Sequence, residues 1–434
     1  AISSSSRCTM ATTSLSASQE YRFEVAAGAV VTLRLTSGSA EMFGAELAPQ
    51  RPYAFTGPTH EAVYTWHGCT FELDGGCQHA YVASETPMDA YLRLHTDLDA
   101  RRAAARQADT HGPRVIVAGG AGSGKAALCR MLANWAARRG DGPLLVELDP
   151  SHGHIGPPGS ISATAIGWPL DVEHATDDLA PLAFWLGSAS PAEAALHYRH
   201  VTERLGEAVR RRGEEHAGTR HSGFVASGCS WVDGGGYDAL AGQISELAVD
   251  VCVVIGDDRL HSQLLSLAPS LASKLEVLKL PRSGGAVART DADRAAAHAV
   301  RLRNYFYGQP SAGGAAQLSP HSVEVGFDAV EVYRLSEAPP APATALPLGT
   351  EFAGEQLLAT RLVGGQLAPL IHSLLAVVRS PSGSCDDLLA APLAGVVLVS
   401  AVDLERQRIT LLSPSPLPLP SMTLLAGSLR WSGA

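Results

Sequence analysis

The residues of this chain best suited to chemistry lie in one short stretch. Gly119-Gly120-Ala121-Gly122-Ser123-Gly124-Lys125 has the spacing GxxxxGK, after the apolar run RVIVA and before the helical pattern AALCRMLANWAARR. In that setting backbone N–H groups and a helix N-terminus surround phosphate oxygens, while the ammonium of Lys125 pairs with the outer phosphates. With 43 Gly and three Lys in 434 residues, such a string arises by accident about 0.03 times per chain. The two residues after the lysine are unusual. Ala126 and Ala127 stand where a Ser or Thr normally sets its hydroxyl on Mg²⁺. The phosphate cradle, being backbone plus Lys125, survives that loss; catalysis is more exposed. If placement of the metal contributes about 3 kcal/mol to a transition state, its absence costs roughly a hundredfold in rate.

Other side chains could complete a phosphoryl-transfer site. Asp149 ends the run LLVELD, where a carboxylate at the end of a neighbouring parallel strand faces the same crevice and suits Mg²⁺ binding or activation of an acceptor hydroxyl. The plainer reading is a strand-end Asp that caps the next turn, and Asp257-Asp258 are a rival acidic pair. Arg289 and Arg294 follow the pair Gly284-Gly285. On a hinged lid they would neutralise a transferring phosphoryl; otherwise they belong to a solvated helix face. Trp231, in CSWVDGGGY, is either a platform for a nucleobase or a packed loop residue.

These residues need a scaffold that brings them together. Between 108 and 310, short apolar runs (VIVAG, LLVELD, LAFWLGS, SGFVASG, VDVCVVIGD, LEVLKL) alternate with helical patterns, which predicts a parallel sheet covered on both faces. Before it, 19–107 holds the strand-like runs YRFEV, VVTLRL, AVYTW, CTFEL and AYV, then a helical stretch with Tyr91, Leu94 and Leu98 on one stripe. After it, 311–434 is Gly- and Pro-rich and then strand-like. The expected fold is α/β: a central P-loop NTPase domain with a parallel sheet, a small N-terminal β-sandwich-like domain and a small, mostly β C-terminal domain. Residues 1–18 read as a disordered leader. A formal charge of −10 argues against broad binding of a phosphate backbone. No apolar run reaches the 18 or so residues of a membrane span. Seven scattered cysteines, none in a CxxC pair, suggest neither a disulfide framework nor a zinc site.

The order AEMFGAEL, YTWHGCTFEL, GPRVIVAGGAGSGK, VELD, SGCSWVDGGGYDAL, LPRSGGAVAR, RNYFYG and SAVDLERQRITLLSPSPLPLP resembles the cleavage-and-polyadenylation (Clp-type) polyribonucleotide 5′-hydroxyl-kinase family. Its members are nuclear subunits of the pre-mRNA 3′-end cleavage factor, and some also act in tRNA splicing. The resemblance covers nearly all of 19–430. It implies ATP and Mg²⁺ as cofactors, and Glu20 and His60 beside the adenine. The phosphates would lie on Gly119 and on Gly122, Ser123, Gly124, Lys125, Ala126 and Ala127. Lys125, Asp149, Arg289 and Arg294 take the catalytic positions, Asp149 also that of the metal, and Trp231 that of RNA stacking. Departures cluster there too. The family's ST is Ala126-Ala127, the Gln of its DxxQ motif is His152, and SPAEAAL (190–196) lacks the family's Thr-x-Asn clasp. The expectation is an ATP-binding subunit of the nuclear mRNA cleavage and polyadenylation machinery, with ATP mainly structural. It would be partnered by the other cleavage-factor subunits, the scaffold subunit among them, with an RNA 5′ end as a further ligand. The alternative is an active ATP-dependent polyribonucleotide 5′-hydroxyl kinase.

Overall fold

The computed structural model describes residues 11–173, 179–271, 274–288, 290–308, 318–337, 356–380, 383–416 and 418–433. Arg289 lies outside the described residues. So do 1–10, but residues 11–15, expected within a disordered leader, form strand β1 (Ala11–Leu15), paired antiparallel with β8 (Cys69–Asp74) from Ala11↔Leu73 to Leu15↔Cys69. The leader composition is polar, but Leu15 is buried in the core of the first domain, and the ladder satisfies the backbone.

That domain is a sandwich of two antiparallel sheets, β1-β8-β3-β6 and β5-β4-β7-β2-β9. The strands are β2 (Gln19–Val25), β3 (Val30–Gly38), β4 (Glu41–Met42), β5 (Ala45–Glu46), β6 (Pro52–Thr56), β7 (Thr59–Thr65) and β9 (Cys77–Val82). Alternation drives it: in β3, Val31, Leu33 and Leu35 are fully buried between more exposed neighbours, the period-two pattern of a half-buried sheet. Across the core, Tyr21 meets Phe71 edge-on at 5.2 Å and Phe23 meets Phe55 at 5.6 Å. Helix α1 (Met88–Ala108) leads to the next domain, burying Tyr91, Leu94 and Leu98 on one stripe. Its fully buried Arg102 donates to the Ser222 carbonyl at 3.1 Å and so ties the helix to the central domain.

The central sheet has the order β13-β12-β11-β14-β10-β15-β16. Strands β10 (Arg114–Ala118), β11 (Leu144–Glu147), β14 (Phe224–Ser227), β15 (Val251–Ile255) and β16 (Glu276–Leu280) are parallel. Their near-continuous apolar runs follow from burial on both faces: Ile116 and Ala118 enter one core, Val115 and Val117 the other. One edge departs from the parallel expectation. Residues 160–165, read as part of a loop, form β12 (Ser160–Ala165), antiparallel to β11 and to β13 (Leu182–Trp185). The helices are α2 (Lys125–Arg138), α3 (Ala195–Glu215), α4 (Ala217–Ser222), α5 (Gly235–Glu246), α6 (Asp258–Leu267) and α7 (Asp291–Tyr307).

The third domain is one seven-stranded sheet, β17-β22-β21-β20-β23-β18-β19. It is built from β17 (His321–Gly326), β18 (Glu331–Glu337), β19 (Leu357–Leu362), β20 (Ser373–Val378), β21 (Leu393–Asp403), β22 (Arg408–Ser413) and β23 (Thr423–Arg430), with helix α8 (Cys385–Ala390). One face has its own core around Val377, Val399 and Leu411. The other packs on the central domain through Trp185 and the α7 residues Leu302 and Phe306, where Phe306 stacks on Trp431 at 5.4 Å. Helix α7 thus runs from the phosphate cleft to the third domain. Among the described residues, no helix is long and apolar enough to cross a membrane.

Candidate functional site

Strand β10 and helix α2 position the phosphate loop. β10 pairs on both sides, so the chain leaves it at Ala118 in a fixed direction and must turn back into α2 within seven residues. Gly122 and Gly124 make that turn with φ of +69° and +97°, a region that costs a residue with a Cβ about 1–2 kcal/mol. A Cβ on Gly122 would also lie 2.8 Å from the Val287 carbonyl and the Ala288 Cα, so the chain after β16 closes directly on the loop. Helix α2 begins with no side-chain cap, leaving its first N–H groups aimed into the loop, the arrangement that binds anions. The Ser123 hydroxyl is buried there with no hydrogen-bond partner. The cradle therefore fits a nucleotide's phosphates.

Lys125 is only 3% exposed. Its Nζ donates to the Gly119 carbonyl (2.8 Å), the Gly120 carbonyl (3.1 Å) and Ser230 Oγ (2.8 Å). Burial pushes its pKa down and Asp149 works against that. Asp149, just past β11, is equally enclosed. Its Oδ1 accepts from Ser151 N (3.0 Å) and Ser151 Oγ (2.6 Å), its Oδ2 accepts from Ser230 N (2.9 Å), and His152 Nδ1 stands 3.3 Å from Oδ2. Burial alone would raise this carboxyl, but His152, Lys125 and the Ser151 hydroxyl outweigh it and hold Asp149 well below the usual carboxylate range. Glu147, two residues earlier, is pushed up to about 7 by burial, with His152 opposing. His152 is raised in turn, because Asp149 and Glu147 outweigh its own burial.

Lys125, Asp149, Ser151, His152 and Ser230 line a cleft of about 730 Å³ together with Trp231, Arg294, His298 and Arg301. It adjoins a smaller, mainly apolar pocket of about 170 Å³ against the β-sandwich, lined by Phe43, Tyr64, Met88, Tyr91 and Met131. His60, Gly124, Ala127, Gly285 and Ala286 border both. A polar cleft beside an apolar pocket at a domain boundary suits a ligand with a charged end and a flat apolar end. Glu20 lines the small pocket, with its carboxylate engaged: Oε1 accepts from Arg22 Nε at 2.6 Å and Oε2 from the Thr86 hydroxyl. Arg22 goes on to the Glu85 carbonyl (3.0 Å) and to Ser283 Oγ (3.2 Å), clamping the sandwich to the segment that covers the phosphate loop.

The structure thus gathers Glu20, His60, Gly122, Ser123, Gly124, Lys125, Ala126, Ala127, Asp149, Trp231 and Arg294 along two adjoining cavities, with Gly119 bound to Lys125. Asp257 and Asp258 are elsewhere: Asp257 caps α6 through Leu260 N at 2.9 Å, and Asp258 meets Lys279. Trp231 combines both readings, lining the cleft while packing on the core beneath. A Cβ on Gly236 would fall 2.4 Å from the Trp231 carbonyl, which explains the glycine at that position. Sequence reasoning missed Ser230, Arg22, His298 and Arg301. The string CSW is plain in the sequence, but a lone Ser beside a candidate Trp carries no local signal.

Comparison with known proteins gives the same three-part division. Residues 14–105 match a family model described as the N-terminal beta-sandwich domain of polyadenylation factor. Residues 119–308 match mRNA cleavage and polyadenylation factor CLP1 P-loop, and 318–433 match pre-mRNA cleavage complex II protein Clp1. Polyribonucleotide 5′-hydroxyl-kinase Clp1 of Gallus gallus is 38% identical over 412 residues, covering 95% of this chain and 94% of the relative. The protein of that name from Homo sapiens gives the same figures, 38% over 412 residues with 95% and 94% covered. A chain solved in a wild-type Clp1p–Pcf11p complex shares the fold, with a TM-score of 0.81, 22% identity, and 97% of this chain and 98% of that one covered. From its three matched regions and its near-full-length relatives, the chain belongs to the Clp1 family.

Proposed function

We propose that this chain is an ATP-binding subunit of the nuclear mRNA 3′-end cleavage machinery, in which the nucleotide stabilises assembly and is not turned over. One observation carries this reading: the phosphate cradle is intact while the groups that would run the chemistry are absent or already engaged. Ala126 and Ala127 have no side-chain oxygen to offer, and Asp149 spends both carboxylate oxygens on Ser151 and Ser230. Held far below the usual carboxylate range, Asp149 is also a weak proton acceptor, because a general base works best with a pKa near the operating pH. The adenine would occupy the apolar pocket beside Glu20 and His60, with the phosphates on Gly119 to Ala127. A ligand that binds only the folded, closed state stabilises it by RT ln(1 + [L]/Kd), about 2.7 kcal/mol at a hundredfold excess over Kd. A chain of this fold was solved with Pcf11p, which supports a Pcf11-like scaffold subunit as the partner.

A second reading, ATP-dependent phosphorylation of RNA 5′-hydroxyl ends, is favoured by the convergence of Lys125, Asp149, Arg294 and Trp231 on one cleft. In it Asp149 would take the proton of the 5′-hydroxyl as the γ-phosphoryl moves to that oxygen and ADP leaves. Lys125, Arg294 and Arg289 would offset the charge, and Trp231 would stack on the terminal base. A single-turnover assay with labelled ATP and a 5′-hydroxyl RNA separates the two. Nucleotide binding without label transfer supports the assembly role; transfer that disappears in Lys125→Ala overturns it.

A further inference from the structure

We propose that the phosphate cleft takes its nucleotide without a divalent cation, the place of the metal on Asp149 being filled by Ser151, Ser230 and the His152 imidazole. The inference rests on the nucleotide-binding reading above. Mg²⁺ asks for near-octahedral oxygen coordination, and in phosphate-binding sites the protein supplies one or two of those oxygens, from a hydroxyl or a carboxylate. Here the hydroxyl positions are Ala126 and Ala127.

The carboxylate is no better placed. Its two oxygens offer about four lone-pair directions. Three are taken by hydrogen bonds of 3.0, 2.6 and 2.9 Å, and His152 Nδ1 stands 3.3 Å from Oδ2. A cation at Asp149 would have to fit beside the imidazole nitrogen 3.3 Å from Oδ2 or expel one of the hydrogen-bonding groups. Ser151 and His152 are held in place by their neighbours along the cleft: His298 Nε2 lies 2.6 Å from the Ser151 carbonyl, Arg301 donates to the His152 carbonyl, and His152 stacks on His154 at 5.4 Å. Both anchors come from α7, so the loop that fills the metal's place is braced by the helix that follows the segment over the phosphate loop. Glu147, the next carboxylate, has a buried oxygen without a partner, but it does not line the cleft; His152, 3.9 Å from it, does. Among the described residues no group of three His, Cys, Asp or Glu side chains is arranged to hold a metal ion. Lys125, Arg294 and Arg301 line the same cleft and supply positive charge there.

The test is calorimetric titration of the full chain with ATP, once in excess Mg²⁺ and once in EDTA. Dissociation constants within about threefold of each other are expected. Binding that weakens more than about tenfold in EDTA overturns the inference and leaves the nucleotide-binding reading standing. No binding in either buffer overturns that reading, and the inference with it. The double variant Ala126→Thr/His152→Gln returns a hydroxyl and removes the imidazole. It is expected to bind ATP at least about tenfold more tightly in Mg²⁺ than in EDTA. A variant that binds equally in both buffers shows that these two residues do not exclude the metal.

Discussion

Replacing Arg22 with Met tests whether the β-sandwich helps close the nucleotide pocket. Arg22 and Glu20 are each 6% exposed, so the change strands a buried carboxylate, at a cost of about 3–5 kcal/mol. Glu20 keeps its Thr86 partner on the other oxygen, which places the expected loss at the lower end, about 3 kcal/mol. The double variant Glu20→Gln/Arg22→Met removes the stranded charge as well and should recover about 1–2 kcal/mol. The same guanidinium donates to the Glu85 carbonyl and to Ser283 Oγ, so the segment over the phosphate loop also loosens. ATP affinity should then fall about tenfold, the equivalent of one lost hydrogen bond of about 1.4 kcal/mol. Hydrogen exchange in β2 under mild denaturant reads the stability, and ATP titration reads the affinity. A single variant within about 0.5 kcal/mol of the parent, with unchanged affinity, would refute the clamp. A double variant no better than the single would refute the buried-charge account of it.

Gly122→Ala should lower nucleotide affinity at least tenfold, because φ is +69° and its Cβ would press on backbone at 2.8 Å; the same ATP titration measures it, with a thermal melt for the accompanying loss of about 2 kcal/mol. His197, in the cavity between the central and third domains, has its imidazole pushed down to about 4 by burial and then by His200. Against an unfolded value of about 6.5, the unfolded chain binds the extra proton between those two pH values, so stability rises with pH through that window. Lowering the pH from 7 to 5 should therefore cost about 2 kcal/mol at this residue, and melts at the two pH values should show a smaller drop for His197→Gln. Phe306→Ala removes a fully buried ring stacked on Trp431 at 5.4 Å; a loss of about 3–5 kcal/mol is expected, read as earlier proteolysis or exchange of the third domain.

Much of the fold is legible in the sequence because it is written in local patterns. Runs such as RVIVA and VCVVI predict strands buried on both faces, and the alternation of VVTLRL predicts a half-buried one. Strand β12 escapes such reading because SISATA is short and mostly small and polar; it is a strand because β11 and β13 offer it two ladders, a condition outside the segment itself. Strand β1 escapes it for the same reason. Its pairing partner begins 54 residues after it ends, at Cys69.

The sequence by itself determined the phosphate loop and the loss at Ala126 and Ala127. A strand, six residues and a helix leave that backbone little freedom, so spacing alone defines the cradle. What Asp149 can do was decided only by the tertiary structure. Whether its carboxylate was open to a metal or closed depended on Ser230, 81 positions further on, and on a loop held by His298, 147 residues from Ser151. The join between the sandwich and the segment over the phosphate loop spans 261 positions, from Arg22 to Ser283. Such contacts are set by how whole domains pack, since a hydrogen bond depends on distance and direction in space and leaves no periodic trace along the chain.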